Sequence, residues 1–65
     1  MIVTVNEEQM QVDDDITVAT LLSRLGFPDR GIAVVLDWAV LPRSGWGRTL
    51  ADGARLEIVT AVQGG

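Results

Sequence analysis

Thr17-Val18-Ala19-Thr20-Leu21-Leu22-Ser23-Arg24-Leu25-Gly26-Phe27-Pro28-Asp29-Arg30-Gly31-Ile32-Ala33-Val34-Val35-Leu36 changes its apolar period partway along, and that change decides the fold. Val18, Leu21, Leu22 and Leu25 fall at i, i+3, i+4 and i+7, one apolar face of a helix. The Thr17 hydroxyl stands where it can cap the first turn. Gly26 comes after Leu25 where a left-handed C-cap is expected, and Pro28 bars continuation. A helix of about two turns is not stable alone, so it must lie against a sheet. From Ile32 to Leu36 the run is continuously apolar and rich in β-branched residues, which favours a buried central strand over a second helix.

Upstream, Met1 to Val5 alternates, with Met1, Val3 and Val5 on one face and Ile2 and Thr4 on the other. Asn6-Glu7-Glu8 reads as a tight turn, since asparagine tolerates the backbone geometry. Gln9 to Asp13 alternates again, with Met10 and Val12 together, as the return strand of a hairpin. Asp13-Asp14-Asp15 reads as a solvated loop; three consecutive aspartates cannot all face one ion, so no metal site is expected. Downstream, Asp37-Trp38 forms a turn, Ala39-Val40-Leu41 a short strand ended by Pro42, and residues 43–50 an irregular connection. Asp52-Gly53 is a strong turn signal. In the last strand Leu56, Ile58, Thr60 and Val62 alternate with Arg55, Glu57, Val59 and Ala61.

The predicted class is therefore α+β, in the order β-β-α-β-β-β: one mixed sheet with a single helix on one face, joined by a helical crossover. This is the β-grasp arrangement. The last strand is expected to pair with the first and sit centrally, anchoring the root of the C-terminal tail. The expected division is a β-grasp domain over residues 1–62 and a flexible C-terminal Gly-Gly tail over residues 63–65.

At 65 residues the chain is one small domain, which buries only about 60% of its unfolded surface. It has no cysteine and no histidine, which removes disulfides, thiolate sites and the commonest general base. Stability must come from aliphatic burial. A net charge of −4 argues against nucleic acid and anionic membranes. All five basic residues are arginines, so no side-chain amine is present to form an isopeptide bond. No apolar run approaches the ~20 residues of a membrane span, and Met1-Ile2-Val3-Thr4-Val5 lacks the basic n-region of a secretory signal. A cytoplasmic protein, monomeric when free, is the expectation.

The chain ends in Gln63-Gly64-Gly65. Glycine has no Cβ, so a Gly-Gly tail can enter a narrow channel and present its last carbonyl to an attacking group. At an average glycine usage of about 7%, two terminal glycines arise by chance in roughly 0.5% of chains, so the tail alone is only suggestive.

Taken as a set, the second half is more specific. Gly31-Ile32-Ala33-Val34, Val40-Leu41-Pro42-Arg43, Trp46, Thr49-Leu50, Asp52-Gly53 and Glu57-Ile58-Val59, then Ala61-Val62-Gln63-Gly64-Gly65, resemble the thiamine-biosynthesis sulfur carrier proteins, the ThiS family, which are ubiquitin-like β-grasp proteins. Thr17-Val18, Leu21-Leu22 and Leu25-Gly26 look like the helix of that family. The resemblance spans nearly the whole chain. It implies that an ATP-dependent adenylating enzyme activates the Gly65 carboxylate, and that a persulfide donor such as a cysteine desulfurase converts it to a thiocarboxylate. Thiazole synthase then takes the sulfur. The carrier itself is not an enzyme and needs no cofactor; ATP binds to the partner. The turn Asp37-Trp38 and Gly45 depart from the family pattern, in which asparagine with a small or polar residue, and a charged residue, are common.

Gly65 is thus the expected site of covalent modification, Gly64 keeps the tail narrow, and Gln63 is the hinge between strand and tail. Val59 and Ala61 fall on the sheet face that a single helix leaves uncovered and, with the neighbouring Val62, form the expected docking patch. Trp46 is expected as a core or rim anchor, and Arg43 is open to pairing with an acidic loop or a partner. Trp38 is expected to pack on the sheet rim or to join a partner surface. Two other readings of the tail stand beside this one: a sulfur carrier for molybdopterin synthesis, and a ubiquitin-like protein modifier. The modifier could not form lysine-linked chains of itself.

Overall fold

The computed structural model describes residues 1–60, so Ala61, Val62, Gln63, Gly64 and Gly65 lie outside the described residues. Strands β1 (Ile2–Val5) and β2 (Glu8–Gln11) form a hairpin. Helix α1 (Val18–Arg24) comes next, then strands β3 (Ile32–Leu36), β4 (Ala39–Leu41) and β5 (Arg55–Thr60). The sheet order is β2-β1-β5-β3-β4, with β1 and β5 parallel and the other pairs antiparallel. The last strand is central, as its expected pairing with the first requires.

Both hairpins close through two residues at positive φ, Asn6 (50°) with Glu7 (71°) and Asp37 (48°) with Trp38 (73°). Two consecutive positive φ values match the right-handed twist of the flanking strands. The first turn is one residue shorter than expected, so β2 begins at Glu8 rather than Gln9. It also ends early, at Gln11 rather than Asp13. Gln11 faces Ile2, the first residue of β1, and beyond it Val12 and Met1 still exchange two bonds, Val12 N donating to Met1 O at 2.9 Å and the Met1 nitrogen to Val12 O at 3.0 Å.

At the start of α1, Thr17 Oγ1 accepts from Thr20 N at 3.2 Å. The irregular connection supplies the other acceptors: Val18 N donates to Arg48 O (3.4 Å) and Ala19 N to Trp46 O (2.9 Å). Residues 43–50 thus satisfy helix amides that would otherwise be orphaned. They also contain one 3-10 turn, Arg43–Gly45. At Gly45 a Cβ would lie 2.7 Å from Leu41 Cδ1, so a larger residue there would require the Leu41 side chain to shift. At the other end of the helix, Phe27 N donates to Leu22 O (3.0 Å) and Gly26 N to Ser23 O (3.1 Å), with Gly26 at φ 82°. This is a Schellman closure.

That closure corrects one expectation. The apolar period places Leu25 on the buried helix face, yet Leu25 is exposed, because the helix ends at Arg24 and the chain turns away at Gly26. Phe27 packs against the core instead. The core joins Val18, Leu21 and Leu22 of the helix to Val3, Val5, Val34, Leu41, Leu56 and Ile58 of the sheet, with Ile16, Trp46, Leu50 and Ala54 closing its edges. Trp46 is a core anchor, as expected.

Candidate functional site

Side chains alternate across a strand, and the register sorts the sheet into two faces. Leu56 and Ile58 turn toward the helix, with Leu36 and Val34 opposite them. Arg55, Glu57 and Val59 turn the other way, where Val59 lies beside Ala33, Glu57 beside Val35, and Val35 beside Val40. Among the described residues no helix covers this side. Val59 is 55% exposed and Val40 73%. The expectation that Val59 stands in solvent on the uncovered face therefore holds.

The same register corrects the reading of β3 as a wholly buried strand. Val34 is buried, but Ala33 is exposed and Val35 only half-buried, because α1 has one sheet face to cover and leaves the other open. Ala33, Val35 and Val40 thus join Val59, a grouping that strand order dictates and that apolar runs alone do not reveal. Ala61, Val62, Gln63, Gly64 and Gly65 fall outside the described residues, so of the expected site Val59 is the part placed here.

Strand β5 is held from both sides by the two turns. Asp37 N donates to Arg55 O (2.8 Å), and Arg55 N donates to Asp37 Oδ1 (3.0 Å). On the opposite side Asn6 N donates to Leu56 O (2.9 Å), and Ile58 N donates to Asn6 Oδ1 (2.8 Å). The root of the C-terminal segment is thereby tied to β1 and to the β3–β4 turn. On the open face the Arg55 guanidinium lies 3.9 Å from Glu57 Oε1 and 4.7 Å from the centroid of the Trp38 ring.

The other charged groups sit elsewhere. Asp13 pairs with Arg24 at 3.3 Å, and Asp14 accepts from the Met1 nitrogen at 3.0 Å. Arg43 reaches Asp29 at 3.8 Å and lies over the Trp46 ring at 5.3 Å, at the rim of a cleft of about 470 Å³ on the helix side. The acidic loop around Asp29 is thus the partner that Arg43 finds. Among the described residues no group of three or more His, Cys, Asp or Glu could hold a metal ion, and no helix is long and apolar enough to cross a membrane.

A mixed five-stranded sheet with β5 at its centre and one helix on one face defines a ubiquitin-like β-grasp domain. The ThiS family matches residues 3–65, and the chain belongs to that family. It is similar to a thiamine biosynthesis protein (ThiS) from Geobacter metallireducens, whose crystal structure is 32% identical, with a TM-score of 0.80 and all of both chains covered. The solution structure of a thiamine biosynthesis protein from the same organism gives a TM-score of 0.78 at 32% identity, covering all of this chain and 88% of that one. Among curated proteins no match was found.

Proposed function

We propose that this protein is a sulfur carrier of thiamine biosynthesis, with the Gly65 carboxylate as its reactive group. An ATP-dependent adenylating enzyme joins that carboxylate to AMP and releases pyrophosphate. A persulfide sulfur, from a donor such as a cysteine desulfurase, attacks the acyl carbon and expels AMP. A second thiol then cleaves the sulfur–sulfur bond, leaving a thiocarboxylate on Gly65 and a disulfide on the donor side. Thiazole synthase receives the sulfur. The carrier supplies presentation and recognition rather than catalysis, in keeping with a chain that holds neither histidine nor cysteine.

The observation that carries this reading is the ThiS match through Gly64 and Gly65, on a chain whose central strand leads into that segment beside an exposed apolar face. Val59, Ala61 and Val62 are assigned to docking, together with Ala33, Val35 and Val40, which share the face of Val59. Gln63 and Gly64 form the narrow segment that delivers Gly65. Incubation with ATP, the adenylating enzyme and a sulfur donor should raise the intact mass by the exchange of one oxygen for one sulfur, located at Gly65. An unchanged mass in the wild type, or the same gain after deletion of Gly65, overturns the reading. Transfer of the sulfur to thiazole synthase, rather than to molybdopterin synthase, tests the pathway.

A further inference from the structure

Trp38 is poorly explained by the fold. It sits at φ 73°, in the left-handed region where a bulky side chain is an outlier. Glycine, asparagine and aspartate are the residues that such a hairpin turn favours. The side chain is not compensated by burial, since 74% of its surface faces solvent. The Arg55 guanidinium lies over its ring at 4.7 Å from the centroid, and an exposed cation–π contact is weak. A strained residue that stabilises its own fold so little points to a task outside the fold.

We propose that Trp38 is the anchor through which this chain docks on its ATP-dependent adenylating partner. The inference rests on the carrier reading above and names the residue of that docking face on which recognition turns. Three observations support it. The first is continuity. Trp38 leads directly into β4, whose Val40 pairs with Val35, and Ala33 of the same strand pairs with Val59. One apolar stripe therefore runs from the β3–β4 turn across β4 and β3 to Val59 on β5, alongside the charged pair Arg55 and Glu57, about 13 Å in the strand direction.

The second is preorganisation. Arg55 lies over the indole and is bridged to Glu57, so the guanidinium biases the ring toward one orientation before a partner arrives, weak as the contact is for stability. Tryptophan and arginine are the residue types most enriched at the energetic centres of interfaces, and a pre-set side chain loses less entropy on binding. The matching surface is an apolar pocket that takes an indole.

The third is area. Trp38, Val40 and Val59 together expose apolar surface on the order of 400 Å², the size of a functional patch on a monomer. A stable interface buries about 800 Å² per partner. The stripe is therefore sized as the centre of an interface with a larger protein that is released after use, and not as half of a permanent dimer.

Trp38→Gly separates the anchor from the fold, because glycine accepts the left-handed turn. In the full chain its melting temperature should equal or exceed that of the wild type, while its Kd for the adenylating enzyme of the same organism rises at least tenfold. Trp38→Phe should recover part of the loss. Val59→Asp, measured in parallel, keeps the two readings apart. Weakened binding by Val59→Asp but unchanged binding by Trp38→Gly overturns the anchor and leaves the docking face standing. Unchanged binding by both overturns the docking face as well. A wild-type dimer in sedimentation that Trp38→Gly dissolves also overturns the proposal, since the ring would then serve a second copy of this chain.

Discussion

The side chain of Asn6 stands in for a strand beside Ile58: its Oδ1 accepts from Ile58 N at 2.8 Å, and its Nδ2 donates to Ile58 O at 3.4 Å. β1 ends at Val5, so the backbone ladder along β5 would otherwise stop there. Asn6 does this at φ 50°, a conformation that asparagine tolerates better than most residues. Asn6→Ala should cost about 2–3 kcal/mol, by combining left-handed strain with the loss of a partner for the Ile58 amide. Asn6→Gly keeps the turn and should cost less. Urea unfolding gives both values, and hydrogen exchange at Ile58 should speed up in each variant. Equal stability of Asn6→Ala and the wild type would show that the asparagine is only a turn residue.

The two roles of Asn6 show how far a sequence can be read. Its fitness for a tight turn is a local property and is legible. Its bond to a residue 52 positions away depends on β5 lying beside β1, and no local pattern carries it. The pairing of Asp37 with Arg55 is hidden for the same reason. α1 is visible through its period, its Thr17 cap and Gly26, but Leu25 escapes the pattern because a period does not say on which residue the last turn unwinds. Residues 43–50 look irregular because what they offer the helix is backbone carbonyls, which leave no mark on residue type. The expectation for the tail rests on the identity of Gly64 and Gly65 alone, since both lie outside the described residues.

Leu56 is fully buried where β5 meets the helix layer. Leu56→Ala should cost about 2–5 kcal/mol. A domain of this size has roughly 3–10 kcal/mol of stability in total, so the variant should be unfolded in part or in full at 37 °C. Far-UV circular dichroism with a urea titration measures this directly. A loss under 1 kcal/mol would mean that the centre of the sheet is not where the stability of the domain resides.

Val40 makes the opposite case. It lies on an edge strand and is 73% exposed, so Val40→Lys should change stability by no more than about 0.5 kcal/mol. If the open face is the docking surface, a charge placed in its apolar stripe should slow thiocarboxylate formation at least tenfold at subsaturating carrier. High carrier concentration should restore part of the rate. An unchanged rate at all concentrations would remove Val40 from the docking surface.

Gly64 offers a way to separate docking from presentation. The apolar stripe around Val59 and Val40 is a feature of the folded domain, whereas the proposed function requires a bare tail only inside the active-site channel of the partner. Gly64→Val places a β-branched side chain one residue before the reacting carboxylate and leaves the stripe untouched. The Kd for the adenylating enzyme should therefore stay within about threefold of the wild type, well under the tenfold that 1.4 kcal/mol represents. ATP–pyrophosphate exchange, which reports attack of the Gly65 carboxylate on ATP, should fall by two orders of magnitude or more. Equal losses in both measurements would mean that the tail, and not the sheet face, supplies the affinity. Undiminished exchange would mean that the channel does not require glycine at this position.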